Sequence, residues 1–180
     1  MTSLDNTVPA RRVALIADAA SYVGPALATL LATRGHDLVL GQPGAELVEQ
    51  LEELGAAVVP VHGVRDLADP AASAQLVDAA LDRFGRLDAA VAASGRIVTG
   101  SFLKSSLDDL QTVVRGCLEA PYHFLRAVVP PMVQAGAGQV LVITSASAAR
   151  PTPGAPLYSS ARAAATMLAK NVAAEVAHNG

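Results

Sequence analysis

Three side chains in the carboxyl-terminal part of the chain have the types and spacing for proton transfer: Ser145, Tyr158 and Arg162. Tyr158 and Arg162 lie four apart in an alanine-rich helical stretch, so they share one helix face and reach each other. A guanidinium beside a phenol stabilises the phenolate, which should bring Tyr158 down from ~10 toward neutrality. A phenol tuned in this way serves as a general base near working pH. Ser145 follows an apolar strand and can face the same point across the loop Arg150-Pro151-Thr152-Pro153-Gly154. Its hydroxyl suits it to hydrogen-bond a substrate oxygen and fix that oxygen's position. Each residue alone has a plainer reading. Ser145 could satisfy its own loop, Tyr158 could be an ordinary half-buried ring, and Arg162 could pair with a carboxylate at a subunit contact. Their combination on one edge of the fold is what points to catalysis.

The elements that must position them follow from the apolar pattern. Val13-Ala14-Leu15-Ile16-Ala17 is a short unbroken apolar run, which suits a strand buried on both faces of a parallel sheet. Pro25 opens a helix, Ala26 to Arg34, that Gly35 closes. The unit then repeats: strand Asp37–Leu40, helix Ala45–Leu54, strand Ala56–Val61. Asp69-Pro70 caps and starts a helix that runs to Phe84 and ends at Gly85. A fourth strand spans Arg86–Ala92. A helix from Leu107 to Met132 is interrupted by Pro121 and stopped by Pro130-Pro131. A fifth strand spans Gln139–Thr144, and a last helix Leu157–His178. Strands alternating with long helices predict an α/β fold: a doubly wound, Rossmann-like parallel sheet in three layers, α/β/α. Residues 1–10 read as a flexible polar arm and residues 11–180 as a single domain. In such a fold the working site lies beyond the carboxyl ends of the strands.

The loop after the first strand decides what that site can hold. A dinucleotide-binding loop needs glycines that let the backbone approach a pyrophosphate. Here the loop is Ala17-Asp18-Ala19-Ala20-Ser21-Tyr22-Val23-Gly24. Only Gly24 remains, in the slot that serves close helix–strand packing. Asp18 would repel a pyrophosphate, and the Tyr22 ring would fill its volume, although Tyr22 could equally be simple packing. After the second strand, Gly41-Gln42-Pro43 stands where a charged residue should meet the adenosine ribose. After the third, His62 or Gly63 stands where an aspartate would serve the adenine. After the fourth, Ala92-Ala93-Ser94-Gly95 offers no amide side chains. These departures together predict that no nucleotide cofactor is bound.

Composition narrows the remaining choices. With 52% hydrophobic and 16% charged residues over 180 positions, the chain can bury enough apolar surface to fold. The net charge of −3 and the lack of a basic cluster beyond Arg11-Arg12 argue against nucleic acid as a partner. His36, His62, His123 and His178 are scattered without ligand spacing, which predicts no metal site. The single cysteine, Cys117, allows no intrachain disulfide and reads as a buried apolar-like residue in a reducing compartment. Neither a signal peptide nor an apolar run of ~20 residues is seen, so the expected setting is cytoplasmic, with no membrane partner.

The strand order and the Ser145, Tyr158 pair resemble the short-chain dehydrogenase/reductase superfamily from about Arg12 to the end of the chain. Arg162 stands where that superfamily carries a lysine, and Cys117 where it carries a helix asparagine. Ser-x12-Tyr-x3-Arg, with Tyr22 and Gly24 in the first loop, resembles the halohydrin dehalogenases, the cofactor-independent branch; Ala17 departs from that branch's threonine. The resemblance implies a vicinal haloalcohol closing to an epoxide with release of halide. It also implies the reverse opening of epoxides by azide, cyanide or nitrite. Tyr158 would take the hydroxyl proton, Ser145 would orient the oxygen, Arg162 would tune Tyr158, and Tyr22 with Gly24 would border the halide and substrate pocket. Two alternatives stand beside it: an NAD(P)-dependent short-chain oxidoreductase, and a non-catalytic Rossmann-like module. The resemblance also implies a homodimer or homotetramer through the long helices. The alanine face of the last helix (Ala161, Ala164, Ala165, Ala169) would suit that role, or would face the chain's own sheet. Relatives continue past position 180 with further strands, so the domain is expected to lack its C-terminal strands.

Overall fold

The computed structural model describes residues 11–180; the arm expected over residues 1–10 lies outside the described residues. Five parallel strands form one sheet in the order β3-β2-β1-β4-β5: β1 Arg12–Ile16, β2 His36–Gly41, β3 Val58–Val61, β4 Ala89–Ala93 and β5 Gln139–Ile143. The order reverses at β1, whose residues pair with β2 on one side (Leu15 with Val39) and β4 on the other (Leu15 with Ala90). Such a switch point opens a crevice at the carboxyl ends of the strands.

Alternation along the strands sorts the core into two layers. Val13 and Leu15 point to the layer built on α3 (Pro70–Phe84) and α5 (Ala120–Ala135), where Leu76, Phe124 and Val128 are fully buried. Ala14 and Ile16 point to the opposite layer, against α1 (Gly24–Thr33) and α2 (Ala45–Glu53), packing with Ala28, Ala32 and Leu51. The expected three-layer, doubly wound architecture is what the chain forms. The Asp69 carboxylate caps α3 by accepting from the Ala71 amide at 3.0 Å, and Gly85 ends that helix in the left-handed region at φ 69°.

Between α4 (Leu107–Val114) and α6 (Pro156–Val176) the chain departs from expectation. The expected break at Pro121 falls earlier, as a π-helical segment over Arg115–Glu119, and Pro121 then occupies the first turn of α5, where its missing N–H costs nothing. Pro130 and Pro131 do not stop α5. They lie on its half-exposed to exposed side, and the helix runs on until Gly136 adopts φ 69°. Among the described residues, no helix is long and apolar enough to cross a membrane.

Candidate active site

Tyr158 and Arg162 stand on the first turns of α6. Arg162 Nε donates to Tyr158 Oη at 3.1 Å, and its guanidinium lies 5.2 Å from the centre of the Tyr158 ring. Nη1 donates to the carbonyl of Ile143, the last residue of β5, at 3.4 Å. One buried guanidinium therefore fastens the phenol to the carboxyl edge of the sheet. The subunit-contact reading of Arg162 does not fit this placement, since the side chain is only 7% exposed and its partners lie within its own domain. A second tie between the same elements is the Thr166 hydroxyl, which reaches Thr144 Oγ1 at 3.2 Å.

Gly95 makes this arrangement possible. It lies beyond β4 at φ 150°, and a Cβ there would stand 2.1 Å from Arg162 Nη2. Tyr158 itself is half-buried beside Val113, Cys117 and Ala161. Cys117 is fully buried, as expected, within the π-helical segment, and its thiol faces the Arg96 carbonyl at 3.6 Å. In the same segment Gly116 lets the loop after β4 lie on the helix, because a Cβ there would meet Arg96 Cγ at 2.5 Å. Of the alanine face of α6, Ala161 and Ala165 are buried within the chain, while Ala164 and Ala169 are half-buried.

Ser145 caps the short 3-10 helix Ala146–Ala148 at the same sheet edge. Its Oγ accepts from the Ser147 amide at 3.3 Å and from the Ser147 hydroxyl at 2.9 Å. No hydrogen bond joins Ser145 to Tyr158. With its lone pairs engaged by Ser147, the Ser145 hydroxyl proton is free to be donated elsewhere. The same logic applies to Tyr158: Oη accepts from Arg162, so the phenolic proton is available to a substrate.

Beyond β1, β2 and β4 lies a cleft of about 540 Å³. Its wall includes Asp18, Gln42, Arg65, Asp66, Ser94 and Arg96. Gly95 is also part of that wall, so Arg162 borders the cleft from behind. Tyr22 and Gly24 do not line it. Tyr22 has φ 55° and is 80% exposed, so its ring leaves the space that it was expected to fill. The loop interior is taken instead by the Asp18 carboxylate, which accepts from the Ala20 amide at 3.1 Å and from the Ser21 hydroxyl. Gly24 is packed against the loop backbone; a Cβ there would lie 2.2 Å from the Asp18 carbonyl.

The cleft contains groups that sequence reasoning missed. An acid does reach the cleft from the loop after β3, but at Asp66 rather than at His62 or Gly63. Asp66 pairs with Arg115 at 2.9 Å and accepts from the Ala68 amide at 3.1 Å. The Arg115 hydrogen bond holds its carboxyl below the usual carboxylate range against a smaller opposing effect of burial. Ser94 Oγ is buried without a hydrogen-bond partner on this wall. Ser73 and Ser159 carry the same kind of unpartnered hydroxyl away from the cleft, and Ser94 is the one of the three on its wall. Arg65 and Arg96 are exposed cations that pair with no carboxylate among the described residues. The described residues also hold no cluster of ligands suited to a metal ion.

Comparison with known proteins bears on the same face of the fold. The sequence model of the short chain dehydrogenase family matches residues 12–180. An uncharacterized NAD-dependent oxidoreductase of Mycobacterium tuberculosis is 30% identical over 185 residues, covering 94% of this chain and 67% of that one. The D-beta-hydroxybutyrate dehydrogenase of Rhizobium meliloti is 28% identical over 174 residues, with 94% and 67% covered. In three dimensions the chain resembles 7 alpha-hydroxysteroid dehydrogenase, solved with NADH and 7-oxo glycochenodeoxycholic acid. That likeness has a TM-score of 0.83 and 25% identity, and covers 94% of this chain and 67% of that one. These likenesses carry the names of dehydrogenases and of an NAD-dependent oxidoreductase; none is named for halide release.

Proposed function

The chain belongs to the short chain dehydrogenase family, and we propose that it is an oxidoreductase that interconverts an alcohol and a carbonyl compound with a nicotinamide coenzyme held in the cleft beyond β1, β2 and β4. This reading replaces the cofactor-free dehalogenase as the best account of the site. Two observations weigh against that earlier reading: the relatives are named as dehydrogenases, and the Tyr22 ring leaves the cleft open.

The residues present suit such a coenzyme. Ser94 supplies an uncommitted buried hydroxyl, Arg65 and Arg96 supply positive charge, and Asp18 has turned its carboxylate onto its own loop. When bound, the coenzyme supplies or accepts the hydride. The chain's own side chains handle the oxygen and its proton. A substrate oxygen between Ser145 and Tyr158 would meet two O–H donors whose lone pairs are already engaged, by Ser147 and by Arg162. Fixed donors aimed at a developing alkoxide stabilise it without reorganisation. Tyr158 would pass its proton to that alkoxide in the reducing direction and take it back in the oxidising one. Arg162 would hold the phenol in place through its bonds to Tyr158 and Ile143. The reading is carried by the Arg162–Tyr158 hydrogen bond at the border of an open cleft.

The proposal includes self-association through the long helices. Leu107, Leu110, Tyr122 and Met167 are exposed large apolar residues on α4, α5 and α6. Sedimentation of the purified chain should show a species larger than the monomer.

The haloalcohol reading remains as a second one. It rests on an arginine at position 162, where the wider superfamily has a lysine, and on Asp18 in the first loop. One experiment separates the two. The chain is given NADH or NADPH with a panel of ketones and aldehydes, and coenzyme oxidation is followed. In parallel it is given haloalcohols without coenzyme, and halide release is followed. Coenzyme oxidation abolished by Tyr158→Phe supports the oxidoreductase. Halide release abolished by the same substitution, with no coenzyme oxidation, would overturn it.

A further inference from the structure

We propose that the carbonyl substrate is an oxo acid whose carboxylate is held by Arg150, in a second cavity beside Ser145 and Tyr158. The inference rests on the oxidoreductase reading above and names its substrate class. This cavity measures about 660 Å³ and is walled by the segment after β5 and the first turns of α6. It shares no lining residue with the cleft that would take the coenzyme.

Two wall residues tie this cavity to the reacting groups. Ser147 lines it, and the Ser147 hydroxyl donates to Ser145 Oγ at 2.9 Å. Ser159 also lines it and directly follows Tyr158 in α6. On the cleft side, Gly95 lies against the Arg162 guanidinium that holds Tyr158. A carbonyl placed between Ser145 and Tyr158, with a coenzyme in the cleft, therefore has the second cavity for the rest of its carbon skeleton. Alanines and prolines make up most of the remaining wall, which suits a short aliphatic chain.

Arg150 is the one charged side chain on that wall. It is exposed and pairs with no carboxylate among the described residues. The backbone that carries it is stiff. Pro151, Pro153 and Pro156 fix their own φ, the Thr152 carbonyl accepts from the Ala155 amide at 3.2 Å, and the Gly154 carbonyl accepts from the Gly100 amide at 2.7 Å. A cation on a fixed backbone lowers the ordering cost of binding. Its guanidinium matches a carboxylate through two parallel N–H···O bonds. A single cation balances a monoanion, whereas a dianionic phosphate ester would keep half of its charge uncompensated.

The test is coenzyme-linked reduction, by the intact chain, of acetoacetate and levulinate, each beside its methyl ester, which removes the charge and keeps the carbonyl. For the better of the two acids, kcat/KM should exceed that of its ester by about 10-fold, the value of one charge-assisted hydrogen bond. Because Arg150 is exposed, this advantage should shrink as sodium chloride is raised, through a rising KM for the acid. Arg150→Gln should abolish the preference, again through KM rather than kcat, and Arg150→Lys should restore part of it. Esters reduced as well as their acids, a preference that survives Arg150→Gln, or reduction confined to uncharged ketones and aldehydes overturns the oxo-acid proposal and leaves the coenzyme reading standing. If neither NADH nor NADPH is oxidised with any acid, ester, ketone or aldehyde, both fall.

Discussion

The centre of the sheet and its β5 flank are built on different principles. In β1 and β2, Leu15, Val39, Leu38 and Leu40 are completely buried, and helices cover both faces. In β5, by contrast, Leu141 pairs with Val91 on the α1 side of the sheet and is still 54% exposed. On the other face of β5, a groove of about 380 Å³ separates Val140 and Val142 from Val172 and Val176 of α6. Packing holds the centre. Polar ties hold the flank: Arg162 to Ile143, Thr166 to Thr144, and Ser147 to Ser145. Stability is concentrated in one region, while the groups suited to chemistry sit in the other, aimed by hydrogen bonds in addition to their packing.

That contrast can be broken or sharpened by substitution, starting with the largest expected effect. Phe124→Ala, in the fully buried layer below β1, should cost about 3–5 kcal/mol in denaturant unfolding. A loss under about 1 kcal/mol would mean that the centre is not the stabilising region. Arg162→Met should lower kcat for coenzyme-linked turnover by about 100-fold, the lower range for a misplaced proton-transfer group. Its melting temperature should fall far less than that of Phe124→Ala; an equal fall would make Arg162 a packing residue only. Asp88→Asn should cost about 1–2 kcal/mol. The Asp88 carboxylate anchors the start of β1, accepting from the Val13 amide at 2.7 Å and from Arg86 Nε at 2.8 Å.

The pH dependence of that anchor has a definite sign. Burial alone would raise the Asp88 carboxyl, but the hydrogen bonds from Arg86 and Val13 outweigh it and hold it below the usual value. A carboxyl depressed in the folded state contributes stability that is complete above its unfolded value of ~3.9. The contribution is lost as pH falls further, through the folded value. Asp66 behaves in the same direction. Unfolding free energy should therefore decline below about pH 4, and less steeply in Asp88→Asn. An unchanged slope would remove Asp88 from the account. The smallest effect is expected at the open edge, where Leu141→Thr should change stability by no more than about 0.5 kcal/mol.

Much of the fold was legible because its signals are local. The Val13–Ala17 run, the Asp69-Pro70 start and the Gly85 stop each specify their element without help from distant residues. Pro130-Pro131 misled because whether a proline breaks a helix depends on the tertiary surroundings of the carbonyls it frees. At the site, the four-residue spacing of Tyr158 and Arg162 was readable, since helix geometry alone brings them together. The cleft was not. Tyr22 reads as bulk in a loop, but its positive φ sends the ring to solvent, and no residue type encodes that turn. Asp66 escaped because it lies five residues past the end of β3, and only the folded path of that connection brings it onto the cleft wall. The fit of Gly95 to Arg162 is a contact between residues 67 positions apart, visible only once both are placed.

The central claim is that the cleft walled by Asp18, Ser94 and Gly95 receives the coenzyme beside Tyr158. Amide hydrogen exchange of the chain with and without saturating NADPH tests it most directly. Protection should appear in the peptides spanning Ala17–Gly24, Gln42–Gly44, Val64–Leu67 and Ser94–Arg96, with little change along α5. No protection in those loops, or protection confined to the groove between α5 and α6, would contradict it.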